Sequence, residues 1–202
     1  MLLQAEESQL VLVDYQQRLM PHIHEAEAVL ANAVRLAGIA ALLQVPTWAT
    51  EQTPDSLGGT VEALQPLVAG RVFAKSAFDG APVLLPRLRP PARPQQGGNA
   101  RSLPKHLQKP AAAPAAERET IVLAGCETHV CLMQTALGLL DEELDVWVVT
   151  DACGSRTERN RDAAFDRLAG AGAELVTTEM VAFEWLRHAE HPRFKEVLAL
   201  VK

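Results

Sequence analysis

The chain is predicted to adopt a three-layer, doubly wound α/β fold built on a mostly parallel six-stranded sheet. Three observations predict it. Short apolar runs alternate with amphipathic stretches along the 202 residues, the order expected of strands joined by crossover helices. The runs are apolar at successive rather than alternate positions, so helices must cover both faces of the sheet. The length and the 48% apolar content suit a single domain, residues 1–202, that buries its core without disulfide or metal staples.

Gln9 to Val13, Gln-Leu-Val-Leu-Val, reads as the first strand and stops at Asp14. From His24 to Ala37, apolar residues recur at three- and four-residue steps, which predicts a helix that Gly38 would end. Ala40 to Val45 is then the second strand, Val61 to Val68 a short helix, and Arg71 to Ala74 a third strand leading into Lys75. Leu85 to Ala116 is rich in proline and carries Gly97-Gly98 and an alanine run, so it is expected to be a loop-like insertion. Ile121 to Ala124 is the fourth strand, closed by Gly125, and Val130 to Leu140 is the helix after it. Val146 to Thr150 is the fifth strand. Glu158 to Ala169 is a helix with Thr157 as N-cap and Gly170 beyond its end. Glu174 to Val176 is the sixth strand, followed by helices beginning near Thr178 and near Pro192.

Nineteen Lys and Arg against 25 Asp and Glu give a net charge of −6 with no dense basic cluster, which argues against nucleic acid as a partner. The start, Met-Leu-Leu-Gln-Ala-Glu-Glu, is acidic where a signal peptide needs a basic region, and no apolar run reaches the ~18 residues of a membrane span. Three cysteines, Cys126, Cys131 and Cys153, are odd in number and form no C-x-x-C pair, which suits reduced thiols in the cytoplasm.

Ligands of open parallel sheets bind beyond the carboxyl ends of the strands, where loops and helix N-termini converge. Asp14, Lys75 and Cys131 all fall at such ends. Alone, each has a plain structural explanation: a capping carboxylate, a solvated lysine, a small buried hydrophobe. Together they make a thiol beside an ammonium and a helix start, both expected to favour the thiolate. A carboxylate in reach can move the thiol proton, and free backbone N–H groups can hold an oxyanion, which is the equipment for acyl transfer to water. Other candidates carry less. His22 and His24 lack a carboxylate cluster, and Cys126, His129 and Cys131 lack a fourth ligand at metal-binding spacing.

The segments Val11-Leu12-Val13-Asp14-Tyr15-Gln16, Phe73-Ala74-Lys75-Ser76-Ala77-Phe78 and Gly125-Cys126-Glu127-Thr128-His129-Val130-Cys131 resemble the isochorismatase-like cysteine hydrolase superfamily, which includes nicotinamidases and N-carbamoylsarcosine amidases. With Thr50-Glu51-Gln52, Gln134-Thr135-Ala136 and His191-Pro192-Arg193-Phe194-Lys195-Glu196, the chain is most similar to the isochorismatase domain-containing branch, whose substrate is unassigned. The resemblance covers nearly everything but the insertion. It implies a Rossmann-like fold and a triad of Asp14 as general base and acid, Lys75 as electrostatic support and Cys131 as nucleophile. It also implies a cis peptide between Cys126 and Glu127, with the N–H groups of Glu127 and Cys131 forming the oxyanion hole. Gln16, Phe78, Thr128 and His129 are the candidate substrate-binding residues. Nicotinamidases hold a metal after the second strand with an Asp and histidines, whereas Trp48 to Gly59 has no histidine, so neither metal nor cofactor is expected. Isochorismatases that cleave a vinyl ether lack the cysteine, so Cys131 directs the expectation to a small amide-like substrate. The rival expectation is a redox-responsive or ligand-binding protein that uses Cys131 without turnover. A homo-oligomer is expected from the apolar faces of the terminal helices.

Overall fold

The computed structural model describes residues 2–90 and 118–202. Six strands form one sheet: β1 (Ser8–Val13), β2 (Thr47–Gln52), β3 (Val72–Lys75), β4 (Thr120–Gly125), β5 (Asp145–Val149) and β6 (Glu174–Val176). Their order is β3-β2-β1-β4-β5-β6 and every pairing is parallel, so the sheet is wholly rather than mostly parallel. Helices α1 (Ala26–Leu42), α2 (Pro54–Leu57), α3 (Ala81–Leu88), α4 (Met133–Asp141), α5 (Glu158–Gly170), α6 (Thr178–Leu186) and α7 (Phe194–Val201) connect them. Helices α1, α6 and α7 pack together on one face, and α3, α4 and α5 on the other. This is the three-layer arrangement expected when right-handed crossovers run outward from a central strand in both directions. β1 and β4, the central pair, are buried along almost their whole length. The chain reverses its direction of travel across the sheet between them, and the crevice beyond their carboxyl ends is the switch point where such folds bind ligands. Among the described residues no helix is long and apolar enough to cross a membrane.

Three expectations are corrected. Gly38 does not end α1, which runs to Leu42, so Ala40 to Val45 is the last turn of a helix and a tight bend rather than the second strand. Leu36, Ala37, Ile39 and Ala40 are all buried, and that continuous apolar face holds the helix together through the glycine. Gln44 makes the stop instead, in the left-handed conformation at φ 59°. Val61 to Val68 forms turns and a short 3-10 segment, Gln65–Leu67, and not a helix. Its buried apolar side chains, Leu64 and Val68, are four apart but too few to hold a longer helix against Pro66. The expected loop from Leu85 begins late, because Leu85 to Leu88 completes α3 with Pro82 in the first turn and Leu84 and Leu88 buried; most of the rest of that insertion, 91–116, lies outside the described residues. The final helix, expected to begin near Pro192, starts at Phe194 after an N-cap at Arg193. Thr157 caps α5 as expected, its hydroxyl accepting from Asn160 N at 3.3 Å.

Candidate active site

Parallel register brings three strand ends side by side. Val13 pairs with Thr50, and Gln52 pairs with Lys75, so the residues that follow β1 and end β2 and β3 face one crevice. Asp14 turns the chain there at φ 53° and is fully buried. One carboxylate oxygen accepts from the Thr50 hydroxyl at 2.7 Å and the other from Lys75 Nζ at 2.8 Å. The ammonium also donates to Gln52 Oε1 at 2.7 Å and lies 3.2 and 3.3 Å from the carbonyls of Phe78 and Ala77. Both side chains of the pair are sealed, at 1% and 0% exposure. A buried ion pair survives only when its remaining hydrogen-bonding capacity is met, and Thr50, Gln52 and the 77–78 turn meet it.

Gln16 belongs to this frame. Its Oε1 accepts from Gln52 N at 2.8 Å, and its amide donates to the carbonyls of Gln52 at 3.0 Å and Gly58 at 2.6 Å. Both amide hydrogens are committed to backbone carbonyls, so Gln16, expected among the substrate-binding residues, braces the end of β2. The turn that carries Phe78 is pinned to α4, where Gly80 N donates to Thr135 Oγ1 at 2.8 Å. Asp79 Oδ1 caps the start of α3 through Ala81 N at 2.7 Å. Phe78, in this turn, is 52% exposed.

β4 ends at Gly125, where any Cβ would collide with the Val13 carbonyl oxygen, so only glycine lets the strands stay this close. The Cys126–Glu127 peptide that follows is cis. Thr128–Leu132 is a π-type turn leading into α4, and Cys131 lies in it at 6% exposure. The charges of Asp14 and Lys75 both act on its thiol. Burial pushes the thiol up to about 12, with the Asp14 charge adding and Lys75 opposing. This corrects the expectation of a resting thiolate: the sulfur is almost closed off from water, and the ammonium that would stabilise it is already matched by a carboxylate.

The Glu127 N–H meets no acceptor among the described residues, whereas the next N–H, of Thr128, donates to Gly154 O at 2.8 Å. Thr128 Oγ1 is buried without a hydrogen-bond partner among the described residues. His129 Nδ1 lies 3.0 Å from Ser155 Oγ. Burial raises the Glu127 carboxyl, but the Arg156 hydrogen bonds and charge, helped by His129, outweigh it and leave the group below its ordinary range. Cys126 and Cys153 are free, buried thiols, and among the described residues no group of three or more His, Cys, Asp and Glu is placed to hold a metal ion. Sequence reasoning assigned no role to Thr50, Gln52, Ser155 or Arg156. The first two belong to the Thr50-Glu51-Gln52 segment that carries the family resemblance and were within reach of it, while nothing local marks the other two.

The model of the Isochorismatase domain matches residues 8–180. The chain belongs to the isochorismatase family, a family of hydrolases. Isochorismatase domain-containing protein 2 of Bos taurus is 36% identical over 200 residues, covering 96% of this chain and 83% of that protein. A structure described as MAR1 ribonuclease from Caenorhabditis elegans superposes with a TM-score of 0.82 at 29% identity, covering 100% of this chain and 92% of that one. YcaC from Pseudomonas aeruginosa, solved with hexane-2,5-diol and covalent acrylamide, shares the fold at a TM-score of 0.78 and 24% identity, with coverage of 98% and 91%. The isochorismatase match runs from β1 into α6, so Asp14, Lys75, Glu127 and Cys131 all lie inside it.

Proposed function

We propose that the protein is a cysteine-dependent hydrolase of small amide-like molecules that works through an acyl-thioester. The observation that carries this reading is a sealed Asp14–Lys75 ion pair acting on the thiol of Cys131 at the switch point of the sheet. The resting sulfur holds its proton, so attack and proton transfer are coupled. As the bond from Sγ to the substrate carbonyl carbon forms, the thiol proton passes to Asp14, and the carbonyl oxygen becomes an oxyanion held by the N–H groups of Glu127 and Cys131. Collapse breaks the C–N bond, and Asp14 returns the proton to the departing amine. Water then attacks the thioester, giving a proton to Asp14, and the sulfur leaves and recovers it. Lys75 stabilises the carboxylate at the start and end of this cycle. Phe78, Thr128 and His129 border the crevice and are the proposed substrate contacts.

The narrow exposure of Cys131 favours a compact substrate. It also weighs against a redox-responsive thiol, since oxidation follows thiolate character and access, and this sulfur has little of either. Turnover over a panel of small primary amides and carbamoyl compounds tests the proposal. Activity is expected to vanish in Cys131→Ala and to be lost in Asp14→Asn, and wild type quenched during turnover is expected to show an acyl adduct on Cys131 by mass spectrometry. Undiminished turnover in Cys131→Ala would refute it. The exposed Leu2, Met180 and Phe183 beside Arg187 support self-association through α6. Sedimentation at the mass of one chain would remove that part of the proposal.

A further inference from the structure

Gly154, Ser155 and Arg156 are consecutive in the loop after β5, and each engages a different residue of the segment after β4. Gly154 O accepts from Thr128 N at 2.8 Å. Ser155 Oγ is 3.0 Å from His129 Nδ1. The Arg156 guanidinium forks onto the Glu127 carboxylate, Nε to Oε2 at 2.8 Å and Nη2 to Oε1 at 3.0 Å. A parallel bridge between Cys126 and Gly154, and a bond from Gly154 N to Gly125 O at 3.2 Å, extend the pairing past the strand ends. Glu127 is therefore tied on both flanks and through its own side chain, while its N–H has no acceptor among the described residues. So many restraints on one peptide whose donor goes unused point to a donor that must be aimed.

We infer that Arg156 is a positioning residue, which holds the Glu127 peptide so that its N–H points at the developing oxyanion; this rests on the acyl-transfer reading above. The Glu127 side chain is 9% exposed, and a carboxylate that deep stays in place only while paired. Without the guanidinium it would swing toward water and rotate its own backbone. The fork fixes the carboxylate plane at two points, which an ammonium cannot do. Arg156 is itself 64% exposed, so its removal leaves no cavity. The charges that bear most on the Cys131 thiol are those of Asp14 and Lys75. Nucleophile and donor are thus perturbed separately, and two reagents can read them apart.

Iodoacetamide alkylates Cys131 by displacement at a methylene carbon: the S–C bond forms as iodide leaves, the thiol proton passes to solvent or Asp14, and no oxyanion appears. With 4-nitrophenyl acetate, Sγ attacks the carbonyl as the thiol proton passes to Asp14, an oxyanion forms, and 4-nitrophenolate leaves to give the acetyl-thioester. Both rates are measured on the full chain for wild type, Arg156→Ala and Arg156→Lys, with Cys131→Ala subtracted as background. Losing an oxyanion donor outright costs roughly 10²–10³-fold, so a donor that is kept but misaimed is expected to slow acetylation by about tenfold or more. Alkylation should stay within about twofold, with its pH profile unmoved. Arg156→Lys should fall between the two proteins, because one contact replaces the fork. Acetylation at the wild-type rate in Arg156→Ala would overturn the inference, as would parallel loss of both reactions, which marks general damage to the site. A wild-type protein that is alkylated but never acetylated would instead refute acyl transfer itself, and the inference would go with it.

Discussion

Whether a thiol can act as a nucleophile is decided at Cys131 by a contest among three influences: burial and the Asp14 charge hold the proton on, and Lys75 loosens it. Because the first two prevail, the thiolate fraction near neutrality is small, and each unit taken off the thiol pKa multiplies that fraction by about ten. Asp14→Asn removes one of the two influences on the winning side and leaves Lys75 unopposed. The alkylation profile of that variant is expected to move to lower pH, with faster iodoacetamide labelling at pH 8, even as hydrolysis is lost. Labelling slower than wild type would mean that Asp14 activates the resting sulfur rather than restraining it. Lys75→Met works in the other direction and also strands a sealed carboxylate. A loss of roughly 3–5 kcal/mol in urea unfolding is expected, the usual cost of breaking a buried pair from one side. The residue types of this trio were legible from sequence because each stands at a strand end. The sign of the thiol shift was not, since it depends on how completely the folded chain excludes water from one sulfur.

At the level of elements, the site exists because β1 and β4 approach closely enough to present Asp14 and Cys126–Glu127 together. Gly125 sets that approach. A Cβ there meets the Val13 carbonyl oxygen and lies 2.6 Å from Val13 Cβ, so backbone would have to move. Gly154 is also crowded, but its first obstacle is Ile23 Cγ2, a side-chain atom rather than backbone. Gly125→Ala is therefore expected to cost roughly 1–3 kcal/mol and to suppress Cys131 acylation, with Gly154→Ala the milder of the two in thermal unfolding. Equal losses would show that the central strands yield as easily as a rotamer. The same strands explain what could be read in advance. β1, β4 and β5 are apolar because both faces are covered, and they were found almost to the residue. β2, Thr-Trp-Ala-Thr-Glu-Gln, was missed because Thr50 and Gln52 point polar groups inward to serve the Asp14–Lys75 pair, which erases the apolar signature of a buried strand. Gly38 misled in the opposite sense. It stays inside α1, where its missing side chain leaves room for Leu200 of α7, 3.3 Å from a Cβ at that position.

Across the whole molecule, the cysteines tie stability to alkaline pH. Burial raises Cys126 well above its ordinary value, and it carries Cys131 and Cys153 up to about 12. Tyr15 is raised as well, mainly by burial, with its hydroxyl donating to the Ala152 carbonyl. In the unfolded chain the thiols titrate near 8.5 and the phenol near 10. Below about pH 8.5 both states hold these protons and the stabilisation is fully present. As pH climbs from there toward the folded values, the unfolded chain releases protons that the folded one keeps, so stability falls. Each fully engaged group contributes a slope of about 1.4 kcal/mol per pH unit. Urea midpoints under a phosphine reductant are therefore expected to hold near pH 7 and drop steadily from about pH 8.5 to 10. Cys153→Ala loses packing at every pH, but it removes one titrating group, so its midpoint should fall less steeply over that range. A wild-type midpoint that stays flat to pH 10, or a Cys153→Ala slope equal to wild type, would show that these thiols are not sealed in the folded protein.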